Sequence, residues 1–166
     1  MACQNAKAPT KKAASPNYQP EDQQVSNFNF QVEPPAGWAM HDTIIEDLKY
    51  RVVLPPDSLD HDRPRISIVI TSMHGREIDD YTTRNMDNLK ATMEGVTLQE
   101  RGAINISSIS ARWATYTREH NGVARDMIIY IIPVRGFAYV ISGGANKGTI
   151  TKYRILFDQL ARSFKL

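Results

Sequence analysis

The single cysteine of the sequence, Cys3, directly follows a small residue near the start of the chain. A small residue followed by cysteine ends a bacterial lipoprotein processing site, where the cysteine thiol becomes lipid-modified. Without a second cysteine, the thiol cannot form an intramolecular disulfide. We therefore predict that Cys3 is the lipid-attachment residue, with Met1-Ala2 standing where an export signal was removed. The alternative is a stray terminal cysteine.

Four side chains that can bind a cation share one proline-bounded loop: Asp57, Asp60, His61 and Asp62. Carboxylates and an imidazole in one short loop offer the ligands that divalent cations take. The spacing lacks the glycine and the terminal glutamate of a calcium-binding loop. The loop is therefore a candidate divalent-cation site, with an ordinary solvated acidic loop as the alternative.

Three arginines surround a hairpin turn predicted at Asn121-Gly122: Arg112, Arg118 and Arg125. We expect them to form a basic ridge that binds an acidic protein partner or anionic head groups, with a solvated sheet edge as the alternative. Across the chain, 20 Lys and Arg against 18 Asp and Glu leave a net charge of +2, and the arginines are scattered. This charge balance does not predict nucleic-acid binding.

Side chains suited to catalysis are not arranged in recognised motifs. The sequence has no Gly-x-Ser-x-Gly pattern, and its four histidines have no motif neighbours. One cysteine excludes both a redox pair and a cysteine-rich zinc site. Trp113, Tyr116 and Tyr139 invite an aromatic-platform interpretation, but core packing is favoured for large aromatics on a sheet. We expect no catalytic activity and no cofactor beyond the candidate divalent cation.

The beginning of the chain differs in composition from the rest. Residues 3–26 contain three prolines, many Ala, Gln and Asn, and few large apolar side chains. Such a segment buries too little apolar surface to offset the entropy lost on ordering. We predict a disordered lipoprotein tether over residues 1–26 and a single domain over residues 27–166.

Alternating apolar residues and turn signals predict six or seven strands in the domain. The opening strand, Phe28–Val32, ends at Pro34-Pro35. Later strands are predicted over residues 50–54, 66–71, 96–109 (one or two strands), 111–120, 123–134 and 137–141. We expect a bulge or turn at 107–108, tight turns at 121–122 and 135–136, and a flexible glycine connection over 143–148.

Two amphipathic helices complete the predicted elements. The first begins near Asp79 or Asp80, either of which can cap its amides, and ends at Gly95. Its apolar residues are Tyr81, Met86, Leu89 and Met93. The second helix has apolar residues at i, i+3, i+4, i+7 and i+11: Tyr153, Leu156, Phe157, Leu160 and Phe164.

Residues 127–132 indicate how the elements are layered, because they are apolar on both strand parities. An antiparallel strand with one wet face alternates, whereas a strand that is apolar on both sides needs cover on both. The hairpins make the sheet antiparallel. The prediction is therefore an α+β, three-layer domain with a six- to seven-stranded antiparallel sheet flanked by helices.

Loose structural motifs spread over residues 27–166 make this chain resemble the PsbP-like superfamily. They lie in the opening strand with its Pro-x-Gly-Trp turn, the aromatic meander and the final helix ending in Ser-Phe. The matching residues are Phe28, Phe30, Pro34, Pro35, Gly37, Trp38, Trp113, Tyr116, Tyr130, Phe137, Tyr139, Phe157, Ser163 and Phe164. The superfamily includes the extrinsic subunit of photosystem II, a Ran-binding nuclear import factor and bacterial DcrB-like lipoproteins. The resemblance implies an accessory or assembly protein that binds something larger, and it transfers no functional residue.

Together these features predict a lipid-anchored accessory protein of the cell envelope that binds a partner protein. A small-ligand- or divalent-metal-binding lipoprotein is the alternative, and an unrecognised hydrolase is a third possibility. We expect attachment on the periplasmic side of the membrane. Gln4 replaces the aspartate that often retains lipoproteins at the inner membrane, which favours the outer membrane where the organism has one.

Overall fold

A computed structural model describes residues 29–166, except for the side chain of Asp60. The strands are β1 Ala39–Ile45, β2 Leu48–Leu54, β3 Arg65–Ser72, β4 Thr97–Ile106, β5 Ile109–His120, β6 Val123–Val134 and β7 Phe137–Asn146. The helices are α1 Ile78–Thr92 and α2 Ile150–Arg162, with a 3-10 helix at Asp57–Asp62. The predicted tether, with Cys3, lies outside the described residues.

The described strands form one antiparallel sheet in the order β1-β2-β3-β7-β6-β5-β4. The predicted α+β fold with an antiparallel sheet of up to seven strands is therefore confirmed. Four hairpin turns have positive φ at both central residues, as two-residue primed turns require. These turns are Glu46-Asp47, Ser107-Ser108, Asn121-Gly122 and Arg135-Gly136. The last three stand where the sequence places a turn or bulge, whereas the first was not predicted.

The predicted opening strand is wrong as a member of the sheet. Only Gln31 forms a bridge in the described part of this segment, and its partner is Lys165 after α2. The apolar alternation is nevertheless real, because Phe30 and Val32 are buried while Gln31 is exposed. The segment lies across one face of the sheet, so its alternation reflects burial against that face and not strand pairing.

Two further differences concern strand extent. Strand β1 was not predicted because most of its side chains are exposed, which removes the usual apolar alternation. The flexible connection predicted over 143–148 is wrong for residues 143–146, since β7 continues to Asn146. A Cβ at Gly143 would lie 2.6 Å from Cδ2 of the Phe157 ring, so this glycine lets α2 approach the sheet closely.

The start of α1 also departs from expectation. The helix begins at Ile78 after Glu77, and no side chain caps it. Asp79 and Asp80 lie in the first turn, where their charge still favours the positive end of the helix dipole. Asp79 accepts hydrogen bonds from Arg112 on β5 at 2.6 and 3.1 Å. That contact across the domain draws the Asp79 carboxylate away from the helix amides.

Helices lie on both faces of the sheet, as the doubly apolar strands require. On one face, α2 and the segment around Phe30 close a cluster that reaches from Val53 on β2 to Ile106 on β4. On the other face, α1 closes a smaller cluster. Its buried sheet residues come from β5, β6 and β7: Ala114, Tyr116, Met127, Ile129, Ile131, Ala138 and Val140. The two faces of the described sheet are therefore covered unequally.

A buried carboxylate ties the 3-10 helix to α2. Asp62 Oδ2 accepts hydrogen bonds from Tyr153 Oη at 2.7 Å and Lys152 Nζ at 3.2 Å. The Tyr153 hydrogen bond holds the pKa of Asp62 below its ordinary value. In turn, burial and the contact with Asp62 raise the pKa of Tyr153 to about 12.

The close approach of α2 at Gly143 predicts a selective effect of small substitutions in β7. We expect Gly143→Ala to lower the free energy of unfolding by about 1–3 kcal/mol, because the added methyl overlaps the Phe157 ring. Gly144→Ala is the matched control, since its methyl would overlap the flexible end of Met127 and make an ordinary contact with the Asp126 backbone oxygen at 3.5 Å. Urea denaturation of both variants checks this, and equal losses of stability would contradict it.

The Asp62 contact predicts a pH-dependent contribution to stability. A carboxyl whose pKa is lowered on folding stabilises the protein above its unfolded pKa, and this contribution disappears as pH falls through the folded pKa. Asp62→Asn should therefore be less stable than wild type at pH 7, with the difference shrinking below pH about 4. Urea midpoints at pH 7, 5 and 3 measure this, with the exposed Asp87→Asn as control. A difference that stays constant with pH would refute the assignment.

Candidate functional site

The structure separates the three arginines of the predicted basic ridge. Arg112 pairs with Asp79 of α1, and this hydrogen bond raises the pKa of Arg112 and lowers that of Asp79. Arg118 and Arg125 instead lie directly opposite each other on β5 and β6. They project from the sheet face that carries α1, as do Tyr116 and Met127 in the next pair. Two of the three predicted residues therefore remain together.

Arg118 and Arg125 are held by few contacts. Nη1 of Arg118 lies 3.8 Å from Sδ of Met93, just after α1. Nη2 of Arg125 donates to the backbone carbonyl of Arg63 at 2.8 Å. The Nε atoms of both arginines are buried and have no hydrogen-bond partner among the described residues. Each side chain thus retains unused donor capacity.

Two arginines not singled out from the sequence join this pair. Burial is the main cause that lowers the pKa of Arg125, and the positive charges of Arg118, Arg65 and Arg63 lower this pKa further. Arg65, at the start of β3, pairs in register with Gly144, which in turn pairs with Met127 on β6. We call Arg63, Arg65, Arg118 and Arg125 the arginine cluster. No sequence signal could reveal it, because its members come together only through the strand order.

A second surface lies on the same sheet face, beyond the reach of α1. Ile45, Leu48, Tyr50, Val52 and Leu54 project from β1 and β2 to this side, and we call them the open sheet surface. The described cluster closed by α1 contains none of these five residues. Ile45 is 51% exposed, and the four β2 residues are half-buried. Partial burial and the charge of Glu46 raise the pKa of Tyr50.

The candidate cation loop is only partly available to an ion. The Asp62 carboxylate already binds Tyr153 and Lys152, with His61 Nε2 3.5 Å from its Oδ2. Asp57 and His61 are exposed on the 3-10 helix. Among the side chains that the structure describes, which exclude Asp60, no three His, Cys, Asp or Glu residues are arranged to hold a metal ion. Cation binding here stays a prediction.

The three aromatic residues of the suggested platform lie in different environments. Tyr116 belongs to the cluster under α1. Tyr139 lies on the opposite face, where its ring centroid is 5.6 Å from Phe30 and 5.1 Å from Phe164. Trp113 is half-buried, with the Arg154 guanidinium 5.2 Å from its ring centroid. The rings therefore serve packing, as the sequence favoured, and share no stacking surface.

The clefts between elements are lined by mixed polar side chains. One cleft, of about 400 Å³, lies between the end of β3 and α1. Its lining includes Thr71, His74 and Tyr81, and the Tyr81 and Thr71 hydroxyls are 2.6 Å apart.

No helix among residues 29–166 is long and apolar enough to cross a bilayer.

No protein-family model matches the sequence, and no curated protein sequence matches it. Solved structures do share its fold. LpqN of Mycobacterium tuberculosis, described as involved in cell envelope biogenesis, superimposes with a TM-score of 0.64 at 14% identity. That match covers 82% of each chain.

Two further solved structures with the same fold come from a cyanobacterium and a yeast. The cyanobacterial PsbP protein (CyanoP) of Synechocystis gives a TM-score of 0.61 at 15% identity, covering 82% of this chain and 86% of its own. The Ran-binding protein Mog1p of Saccharomyces cerevisiae gives 0.57 at 9% identity, covering 82% and 89%. At such identities the likeness establishes the fold alone. The chain therefore has the PsbP-like fold, as its sequence predicts.

Proposed function

We propose that this chain is a lipid-anchored accessory protein of the bacterial cell envelope that acts by binding a partner protein. Three observations support the proposal. Cys3 follows a small residue, as in a lipoprotein processing site. LpqN, which has the same fold, is described as involved in cell envelope biogenesis. The open sheet surface offers a place for a partner to bind.

The open sheet surface is the observation that carries the binding role. Its five side chains form a contiguous set across the β1–β2 pairing, because Ile45 opposes Leu48 and the β2 residues alternate along one face. Within residues 29–166, strand β1 is also an edge strand with an unpaired side. Of its exposed large side chains, Ile45 lies on this face, whereas Met40 and Ile44 alternate to the opposite face. An apolar sheet face beside a free edge is typical of a protein interface.

Among the described residues, the carboxyl groups with shifted pKa values support a binding role more than a catalytic one. The carboxylates of Asp42, Asp62 and Asp79 have lowered pKa values, and each is hydrogen-bonded to Arg51, Tyr153 or Arg112. These contacts connect neighbouring elements of the fold. A catalytic carboxyl would instead stand free at a cleft with a pKa tuned towards neutrality.

The alternative of a small-ligand- or divalent-metal-binding lipoprotein rests on Asp57, Asp60, His61 and Asp62. The hydrogen bonds that Tyr153 and Lys152 donate to Asp62 compete with a cation for that carboxylate. We therefore rank this alternative second.

In the leading proposal, the domain lies on the periplasmic side of the membrane and is held there through lipid on Cys3. The outer membrane is the favoured site of attachment.

The anchor predicts covalent lipid at one residue. When the native gene is expressed in its own host with radiolabelled palmitate, we expect label in the wild-type protein and none in Cys3→Ser, because only the thiol accepts the diacylglyceryl group. Membrane fractionation should show the same difference. An unlabelled wild-type protein in the soluble fraction would disprove the anchor.

The partner-binding role predicts contacts at the open sheet surface. A photo-crosslinking residue at Tyr50 should form a discrete protein adduct in native cells, and Ile45→Arg should reduce that adduct at least tenfold by placing a charge in the apolar contact. Ile155→Arg is the matched control, because Ile155 is 67% exposed on α2 at the opposite face of the sheet. Equal adduct yields in the two Arg variants would exclude this surface as the interface.

A further inference from the structure

The cleft between the end of β3 and α1, which we call the α1 cleft, has an unusual lining. Its volume of about 400 Å³ lies in the range of small-molecule sites. Among the described residues that line it, none has an aliphatic side chain. They include Thr71 on β3 and Tyr81, Asn85, Asp87 and Asn88 on α1. Sites for apolar ligands and the centres of protein interfaces are lined mainly by hydrophobic side chains, so this cleft suits a hydrophilic ligand.

Helix α1 presents its polar residues to the cleft as a stripe. Tyr81, Asn85 and Asn88 stand at i, i+4 and i+7, so they follow one another along one side of the helix. At about 1.5 Å per residue, this stripe is roughly 10 Å long. The buried Met86 belongs to the neighbouring side of α1, which packs on the sheet. The stripe can therefore contact a ligand while the helix stays packed.

The two asparagine side chains have hydrogen-bonding capacity that the domain does not use. The amides of Asn85 and Asn88 form no hydrogen bond with any part of residues 29–166. Both residues are half-buried, but their amide atoms reach solvent. A primary amide offers two N–H donors and a carbonyl acceptor. Each amide can therefore bind ligand groups that both donate and accept.

The charges around the α1 cleft are balanced among the described residues. Arg76 and Arg84 both pair with Asp80, at 3.6 and 3.1 Å. Asp87 adds a second carboxylate to the lining. Two guanidinium groups are thus matched by two carboxylates, so the cleft offers no net attraction to an anion. This balance favours an uncharged ligand.

Tyr81 contributes an aromatic ring in a fixed position. Its hydroxyl lies 2.6 Å from that of Thr71, and this hydrogen bond holds the side chain between α1 and β3. The ring is half-buried, so part of it faces the cleft. An aromatic face packs against apolar groups while polar groups at its margin form hydrogen bonds. A sugar ring has this combination, with C–H groups on its face and hydroxyls around its edge.

We propose that the α1 cleft binds a neutral oligosaccharide of N-acetylated sugars. One sugar ring packs on Tyr81, and the sugar hydroxyls and acetamido groups bind Asn85, Asp87 and Asn88. Hydroxyl and acetamido groups each donate and accept, as the asparagine amides do, and the Asp87 carboxylate accepts from hydroxyls. The inference goes beyond the proposed partner binding, because the cleft shares no residue with the open sheet surface.

An NMR titration of the full chain with chitotetraose, the neutral tetramer of N-acetylglucosamine, tests the proposal. We expect shifts of the Asn85 and Asn88 side-chain amide signals, with equal affinity at about 50 and about 500 mM NaCl, because salt does not screen a neutral ligand. Asn88→Ala should weaken binding roughly tenfold, as two lost hydrogen bonds would. Alanine favours helix more than asparagine, so this change preserves α1. Asn105→Ala is the matched control, because it removes an exposed amide from β4.

Each outcome decides the question. Tenfold weaker binding by Asn88→Ala, with unchanged binding by Asn105→Ala, supports the site, and Asn85→Ala should repeat the loss as a second variant. Equal affinities in the Asn88 and Asn105 variants would overturn the proposal. So would unshifted amide signals at millimolar chitotetraose. Inorganic phosphate that shifts the same signals, with an affinity that falls as NaCl rises, would indicate an anion site and also overturn it. Palmitate labelling and the Tyr50 adduct test the proposed function independently of these results.

Discussion

The structure depends on one constraint, which is that the central strands β6 and β7 are apolar on both sides. Ile128, Tyr130 and Ile132 face α2, while Ile129 and Ile131 face α1. A sheet of this kind gains stability only if both faces are removed from water. The two helices and the segment around Phe30 meet that need at the centre of the sheet. Their cover is limited, however, because α1 has only 15 residues.

The limited cover of α1 creates both candidate surfaces. Over β4–β7, α1 buries the sheet and leaves the arginine cluster at the end where the helix stops near Met93. Over β1–β2, the same face keeps the half-buried open sheet surface. The opposite face differs, because α2 approaches closely at Gly143 and the chain before β1 extends the cover. The face under α2 is therefore covered across more of the sheet than the face under α1.

Much of the fold could be predicted from local sequence. Tight turns at Asn121-Gly122 and Arg135-Gly136 follow from residue types that tolerate positive φ, and the face that α2 buries follows from its apolar spacing. The errors arose where tertiary contacts override local pattern. Phe30 and Val32 alternate like a strand but pack on the sheet face, and Gly143-Gly144 read as a connection but lie within β7.

The sequence by itself determined the doubly apolar core, the hairpins, the layered α+β fold and the cysteine suited to lipid attachment, because these depend on composition and short-range spacing. Only the tertiary structure decided which charged residues act together. The strand order β3-β7-β6-β5 brings Arg63 and Arg65 close to Arg118 and Arg125. Arg112 does not join them, because it forms an ion pair with Asp79 of α1. Such groupings depend on pairings between residues far apart in the chain, and local spacing carries no information about them.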